Sequence, residues 1–289
     1  MSVLPESNLA LEVRGVTKRF DTRGIRIPLP WSKKKGDDKQ VVAVDDLSLT
    51  VERGQIFGIV GSNGCGKSTL VRIISTLLYP DGGTISVFGH DVVEESETVR
   101  RLINRVSVEA SFFRKLSPLE NLMFSGQTYG LDRETTAART FEILGRLGID
   151  EAQVLRPLEQ MSRGMQQKVA VARGFLTSPI VLPLDEPTTG LDPASKRQVQ
   201  KFIAELHAEH DATVLLVTHD MAEAEKLCDQ ISIMAGGKIV ASGTLSGLVE
   251  QAGLEGGRHG LEDVFLHVVG HAFDEEPEDK KAGAAASDQ

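Results

Sequence analysis

Residues 9–16 alternate apolar and polar positions as a half-buried strand does, and residues 43–51 repeat the pattern after an interruption. Residues 55–60 are a short apolar run ending in a Gly-rich turn. Beyond it, residues 67–78 carry Leu70, Ile73, Ile74 and Leu77 at helical spacing, so this stretch predicts strand, loop, helix. Ser117-Pro118-Leu119-Glu120 combines an N-cap Ser, Pro at the first helical position and Glu three residues after the cap. Together with the helical pattern of 133–147, it predicts a helical segment, 109–165, inserted between β-rich parts. Strand-like and helix-like stretches then alternate through 180–184, 193–210, 213–217, 221–228 and 231–234, which argues an α/β fold with a mostly parallel, doubly wound sheet. Gly236-Gly237 between two apolar runs reads as a tight hairpin, placing antiparallel strands at the sheet edge.

Composition narrows the class. The 289 residues are 40% hydrophobic and 25% charged, with 28 Gly and 11 Pro, the profile of an ordinary globular chain of one large domain with an appendage, or two domains. A net charge of −9 speaks against a protein that coats nucleic acid. Residues 21–40 are Pro- and Lys-bearing and read as a surface insertion, a solvated excursion or a contact to anionic headgroups with Trp31 as anchor. From Ala272 onward the chain is Ala-, Pro- and acid-rich, which predicts a disordered tail over 272–289, after a short extension, 246–271. Cys65 and Cys228 lie far apart behind no apolar leader, which favours a reducing cytosol over a disulfide framework. No run of about 18 apolar residues occurs, so any membrane this protein serves must be crossed by another chain.

Gly61-Ser62-Asn63-Gly64-Cys65-Gly66-Lys67-Ser68 satisfies the phosphate-binding pattern of Gly, four residues, Gly, Lys and Ser/Thr, in the strand-to-helix context that pattern requires. Glycines let backbone N–H groups close around phosphate oxygens, and the helix N-terminus adds partial positive charge. Lys67 neutralises β- and γ-phosphates, and Ser68 can ligate Mg²⁺. Gly61 through Thr69 are therefore candidate ATP contacts. Cys65 reads first as a small residue the loop tolerates; the helix dipole could also lower its thiol pKa and make alkylation ATP-protectable. An apolar run at 180–184 ends in Asp185-Glu186. The first acid suits Mg²⁺ and the second suits polarising a water that attacks the γ-phosphate.

With these residues in hand, the chain resembles an ABC transporter nucleotide-binding subunit over residues 8–270, with residues 8–245 as its P-loop NTPase domain. Asp185-Glu186-Pro187-Thr188-Thr189-Gly190-Leu191-Asp192 is similar to the family's Walker B plus D-loop, and Val217-Thr218-His219-Asp220 to its switch histidine. Met161-Ser162-Arg163-Gly164-Met165-Gln166-Gln167 occupies the place of the signature sequence. The resemblance implies a head-to-tail dimer with two ATP molecules sandwiched between one subunit's P-loop and the other's signature, giving Ser162, Gly164 and Gln166 a role in trans. It implies Lys67, Glu186 and His219 as catalytic residues, Phe20 as the adenine-stacking aromatic, and Ser68 and Asp185 at Mg²⁺. Three departures stand out. Arg163 replaces the usual Gly, Glu109 stands nearest to the metal- and water-sensing glutamine, and Pro183 lies inside the Walker B strand, where a bulge or unpaired stretch is expected.

Leu261-Glu262-Asp263-Val264-Phe265-Leu266 and residues 117–131 resemble the drug- and polysaccharide-export branch, while the basic insertion is similar to that of lipid-linked glycan exporters. The resemblance thus implies an ATPase subunit of an ABC exporter, peripheral on the cytoplasmic face of the cell membrane. Its partners would be an integral membrane permease, docked near residues 112–129, and a second ATPase subunit, identical or not. A soluble ABC-type clamp on ribosomes or DNA is the other reading; one cassette, no long heptad arm and an acidic body stand against it, and nucleic acid is not an expected partner. A regulatory module without turnover would lack a general base, and Glu186 is present.

Overall fold

The computed structural model describes residues 8–21, 40–107, 111–254 and 259–274. Two long strands, β1 (Leu9–Asp21) and β2 (Gln40–Glu52), pair antiparallel from Leu9↔Glu52 to Asp21↔Gln40, so the 21–40 insertion leaves and rejoins at adjacent strand ends. Its interior lies outside the described residues. There follow β3 (Ile56–Val60), α1 (Lys67–Ile74), β4 (Gly82–Val87), β5 (His90–Asp91) and α2 (Ser96–Leu102). The helical stretch comprises α3 (Pro118–Thr128), α4 (Arg133–Arg146), α5 (Glu151–Val154), a 3-10 turn at Leu158–Gln160 and α6 (Arg163–Phe175). The chain then runs through β6 (Val181–Asp185), α7 (Pro193–His210), β7 (Thr213–Thr218), α8 (Met221–Leu227), β8 (Gln230–Ala235), β9 (Lys238–Gly243), α9 (Leu245–Gln251) and α10 (Leu261–Asp274).

Two sheets result. One has the order β6-β7-β3-β8-β9, parallel except for the antiparallel edge strand β9, which is the α/β arrangement expected from the alternation. Gly236 and Gly237 both take positive φ (53° and 84°) in the β8–β9 turn, as a two-residue primed hairpin requires. The N-terminal strands instead build a separate antiparallel sheet, β2-β1-β4-β5. Along β7 every residue is buried, and the pleat sends alternate side chains into different cores. Leu215 and Val217 join α1 and the antiparallel sheet, whereas Val214 and Leu216 join α4, α6 and α7. Burying each such aliphatic side chain contributes about 1.5–3 kcal/mol, and this two-sided burial holds the C-terminal ends of β3, β6 and β7 rigid.

The helix expected over 67–78 stops at Ile74, because Ser75 caps it and Thr76 turns to φ 58°. Ser117 and Glu120 form the anticipated capping box of α3, with Pro118 at its start. Pro183 produces no bulge: β6 keeps unbroken register with β7, from Val181↔Thr213 to Asp185↔Val217. Its carbonyl accepts from Val106 N (2.9 Å), so Pro183 faces the 103–106 segment, where pairing is reduced to isolated bridges and the missing donor breaks no sheet ladder. Helix α10 continues to Asp274, into the stretch expected to be tail, and 275–289 lie outside the described residues. Among the described residues, no helix is long and apolar enough to cross a membrane.

Candidate functional site

The loop between β3 and α1 is shaped by its glycines. Gly64 and Gly66 take φ 83° and 109°, and a Cβ at Gly66 would stand 1.9 Å from the Ala43 carbonyl oxygen. Any other residue at Gly66 would have to push β2 away. Gly61 is pressed against the Met234 carbonyl, where a Cβ would approach to 2.3 Å. The buried Lys67 ammonium folds back across the loop and donates to Gly61 O (2.8 Å) and Ser62 O (3.0 Å). Asn63, Gly64, Gly66, Lys67, Ser68 and Thr69 line a cavity of about 310 Å³, bounded by Ala43 and, across the opening, by Glu186, Thr189 and His219. Backbone N–H groups, a helix N-terminus and a lysine converge there, which is the chemistry of an anion cradle.

The C-terminal end of β6 delivers the two acids to different tasks. Asp185 is 3% exposed; its Oδ1 accepts from Ser68 Oγ (3.1 Å) and its Oδ2 from Arg105 Nη2 (3.1 Å). Glu186 turns to φ 54°, pinned by its N–H to Val217 O (2.8 Å), so its side chain swings over the cavity. There Oε2 meets His219 Nδ1 at 2.6 Å and accepts from Thr189 Oγ1 at 2.5 Å. A carboxylate fixed by two partners at the rim of an anion cradle is placed to take a proton from water. The 3.1 Å between Ser68 Oγ and Asp185 Oδ1 fits Mg²⁺, whose octahedron with bonds of about 2.0–2.1 Å has cis edges of about 2.9 Å. Among the described residues no three His, Cys, Asp or Glu side chains cluster as a metal cage.

Beneath His219, Asp220 caps α8 by accepting from Glu223 N (3.0 Å) and pairs with Lys196. Burial raises the Asp220 carboxyl, but the Lys196 hydrogen bond, the Glu223 N–H and the neighbouring positive charge together outweigh it and leave the group below its ordinary range. Glu223 goes the other way: burial pushes it up, although Thr188 Oγ1 donates to its Oε1 at 2.7 Å. This ties the turn after Glu186 to the helix after His219. Cys65 departs from the low-pKa possibility. It is buried beneath the loop, and that burial raises the thiol more than the nearby Lys67 charge lowers it.

The remaining candidates stand elsewhere. Ser162 caps α6, its Oγ accepting from Met165 N (3.2 Å), and it remains exposed. Gln166 spends its amide on the Leu158 and Met161 carbonyls (both 3.0 Å), so it holds the loop that presents Ser162 and Gly164. None of Ser162, Gly164 and Gln166 lines the cavity of their own chain. Phe20 does not line it either; it is 38% exposed near the end of β1 and pairs with Val41, two residues before the cavity-lining Ala43. Glu109 lies outside the described residues. Thr189 and Arg105 were missed by sequence reasoning. Thr189 sits in the run after Glu186 and is findable from that proximity, whereas no local signal marks Arg105, 80 residues before its partner.

Comparison with known proteins gives one consistent picture. Residues 44–189 match the family model described as "ABC transporter". The chain is 41% identical over 211 residues to the daunorubicin/doxorubicin resistance ATP-binding protein DrrA of Streptomyces peucetius, covering 73% of this chain and 63% of that one. It is 38% identical over 221 residues to the ABC transporter ATP-binding protein NatA of Bacillus subtilis, covering 76% and 89%. The match thus spans less than two thirds of the first relative's length and most of the second's. A solved ATP-binding subunit of an ABC transporter superposes with a TM-score of 0.73 at 28% identity, covering 90% of this chain and 99% of that one.

Proposed function

The chain belongs to the ABC transporter family, and from that membership we propose that it is the ATP-hydrolysing subunit of an exporter in the drug-export branch, working beside a separate membrane-spanning permease. Residues 8–245 form its ATPase domain, with 109–165 as the helical subdomain. The observation that carries the reading is the pairing of Glu186 with His219 at 2.6 Å across one cavity from Lys67 and Ser68.

In this mechanism Lys67 exchanges its Gly61 and Ser62 carbonyl contacts for phosphate oxygens, to which the loop N–H groups also donate. Ser68 and Asp185 would hold Mg²⁺, which when bound would supply positive charge to offset that of the phosphates. Glu186 takes the proton of the attacking water, and its two partners, His219 and Thr189, keep its carboxylate aimed. Phe20 with Val41 and Val42 offers an apolar strip for the adenine next to Ala43. Ser162 and Gly164 of a second subunit close over the γ-phosphate, and loss of that phosphate reopens the dimer, which the permease turns into alternating access. The permease docks near residues 112–129, on the cytoplasmic face of the membrane. The names of the DrrA relatives point to a drug-like cargo for that permease.

The test is capture. Immobilised Glu186→Gln chain, loaded with Mg-ATP, is exposed to detergent-solubilised native membranes and cytosol, and retained proteins are identified by mass spectrometry. A polytopic membrane protein retained only with Mg-ATP is the expected result. Ribosomal or DNA-associated proteins without a membrane partner would overturn it.

A further inference from the structure

Asp185 and its neighbours form a relay between two cavities that share no lining residue. Ser68 lines the phosphate cavity and donates to Asp185 Oδ1, while Arg105 donates to Asp185 Oδ2 and lines a second cavity of about 490 Å³ bounded by α1, α2 and α3. That second cavity also carries Arg100 and Arg173 and, among the described residues, no carboxylate. Arg100 Nε donates to Thr76 Oγ1 (2.9 Å), and Arg173 stacks on Phe112 and donates to Ser111 O (3.1 Å); among the described residues neither has an acidic partner. The Arg105 guanidinium is incompletely satisfied. One nitrogen serves Asp185 and Ser107 Oγ (3.2 Å), and its buried Nε has no partner.

A guanidinium on the second oxygen of a buried carboxylate offsets the negative charge that would attract a divalent cation to the first. We propose that Arg105 is a positioning residue that competes with Mg²⁺ for Asp185: it holds the carboxylate before the metal arrives, and its charge raises the Mg²⁺ concentration needed to occupy the other carboxylate oxygen. This rests on the reading of Ser68 and Asp185 as the magnesium site and gives that site a built-in threshold. The pairing leaves the buried Arg105 Nε without a partner, so the guanidinium is held to Asp185 by one nitrogen only.

The experiment uses the full chain and trinitrophenyl-ATP fluorescence at pH 8, titrating Mg²⁺ into wild type, Arg105→Ala, Arg105→Gln and Arg105→Lys. A charge-assisted hydrogen bond removed from Asp185 should lower the half-saturating Mg²⁺ concentration about tenfold in Arg105→Ala. Arg105→Gln, which retains a side chain to fill the site, carries the same prediction should the alanine variant not fold. Arg105→Lys, retaining the cation, should stay within about threefold of wild type, and binding without Mg²⁺ should be alike in all four. An unchanged or raised Mg²⁺ requirement in both neutral variants overturns the proposal. A wild type whose binding ignores Mg²⁺ overturns the metal-site reading itself, a distinguishable result.

Discussion

At the phosphate loop the chain meets its own demands, and at the 158–166 loop it does not. Gly66 is required by Ala43 O at 1.9 Å from a would-be Cβ, Lys67 is buried on loop carbonyls, and Glu186 has His219 and Thr189. Gly164, in contrast, would bring a Cβ no nearer than 3.4 Å to Leu191; its φ is not left-handed, and Ser162 and Arg163 are exposed. Among the described residues nothing crowds that position in a way that demands Gly. Steric necessity within the fold therefore marks the first region as a finished half-site. The second region has its scaffold, through Ser162 capping α6 and Gln166 bracing the loop, and leaves an exposed face that the proposed dimer would set against a second subunit.

That contrast predicts graded losses. Lys67→Ala removes a charge-assisted phosphate contact from the finished half and should weaken nucleotide binding about 100-fold or more, measured by equilibrium dialysis. Comparable affinity in the variant would break the comparison at its stronger side. Ser162→Ala should leave nucleotide binding to the isolated chain intact, lower turnover about tenfold, and cost about 1 kcal/mol of stability through the lost α6 cap, read from phosphate release and urea unfolding. Lost binding in the monomer would place Ser162 in its own chain's site. The smallest effect concerns Glu223. Its folded pKa is raised by burial, so the folded state binds the extra proton more tightly. Stability from that group is fully present below the ordinary glutamate pKa and is lost as pH rises from there through the raised folded value. Thermal melts across that window should show the decline in wild type and a flatter profile in Glu223→Gln.

Much of this was legible in the sequence, for identifiable reasons. The phosphate loop is contiguous, and the helix at 193–210 and the Gly236-Gly237 hairpin announce themselves by period and by turn chemistry, so all three coincide with the structure. The separate antiparallel sheet was not legible, since the β1–β4 pairing joins residues about as far apart as Leu11 and Val87 and leaves no local pattern. Cys65 departs from the helix-dipole argument because burial, a property of the whole fold, outweighs the dipole. Arg105 was missed for the same kind of reason: its partner is defined only once β6 lies beside the 103–106 segment.

The central claim is that the finished half of one chain works with the unfinished half of another. Chains carrying Lys67→Ala and Ser162→Glu are each prepared, confirmed inactive alone, and mixed in equal amounts before phosphate release is measured. Random pairing in a two-fold dimer leaves one intact composite site in about half the dimers, so activity should return to about a quarter of wild type. Activity that stays at the level of the separate variants would contradict the account.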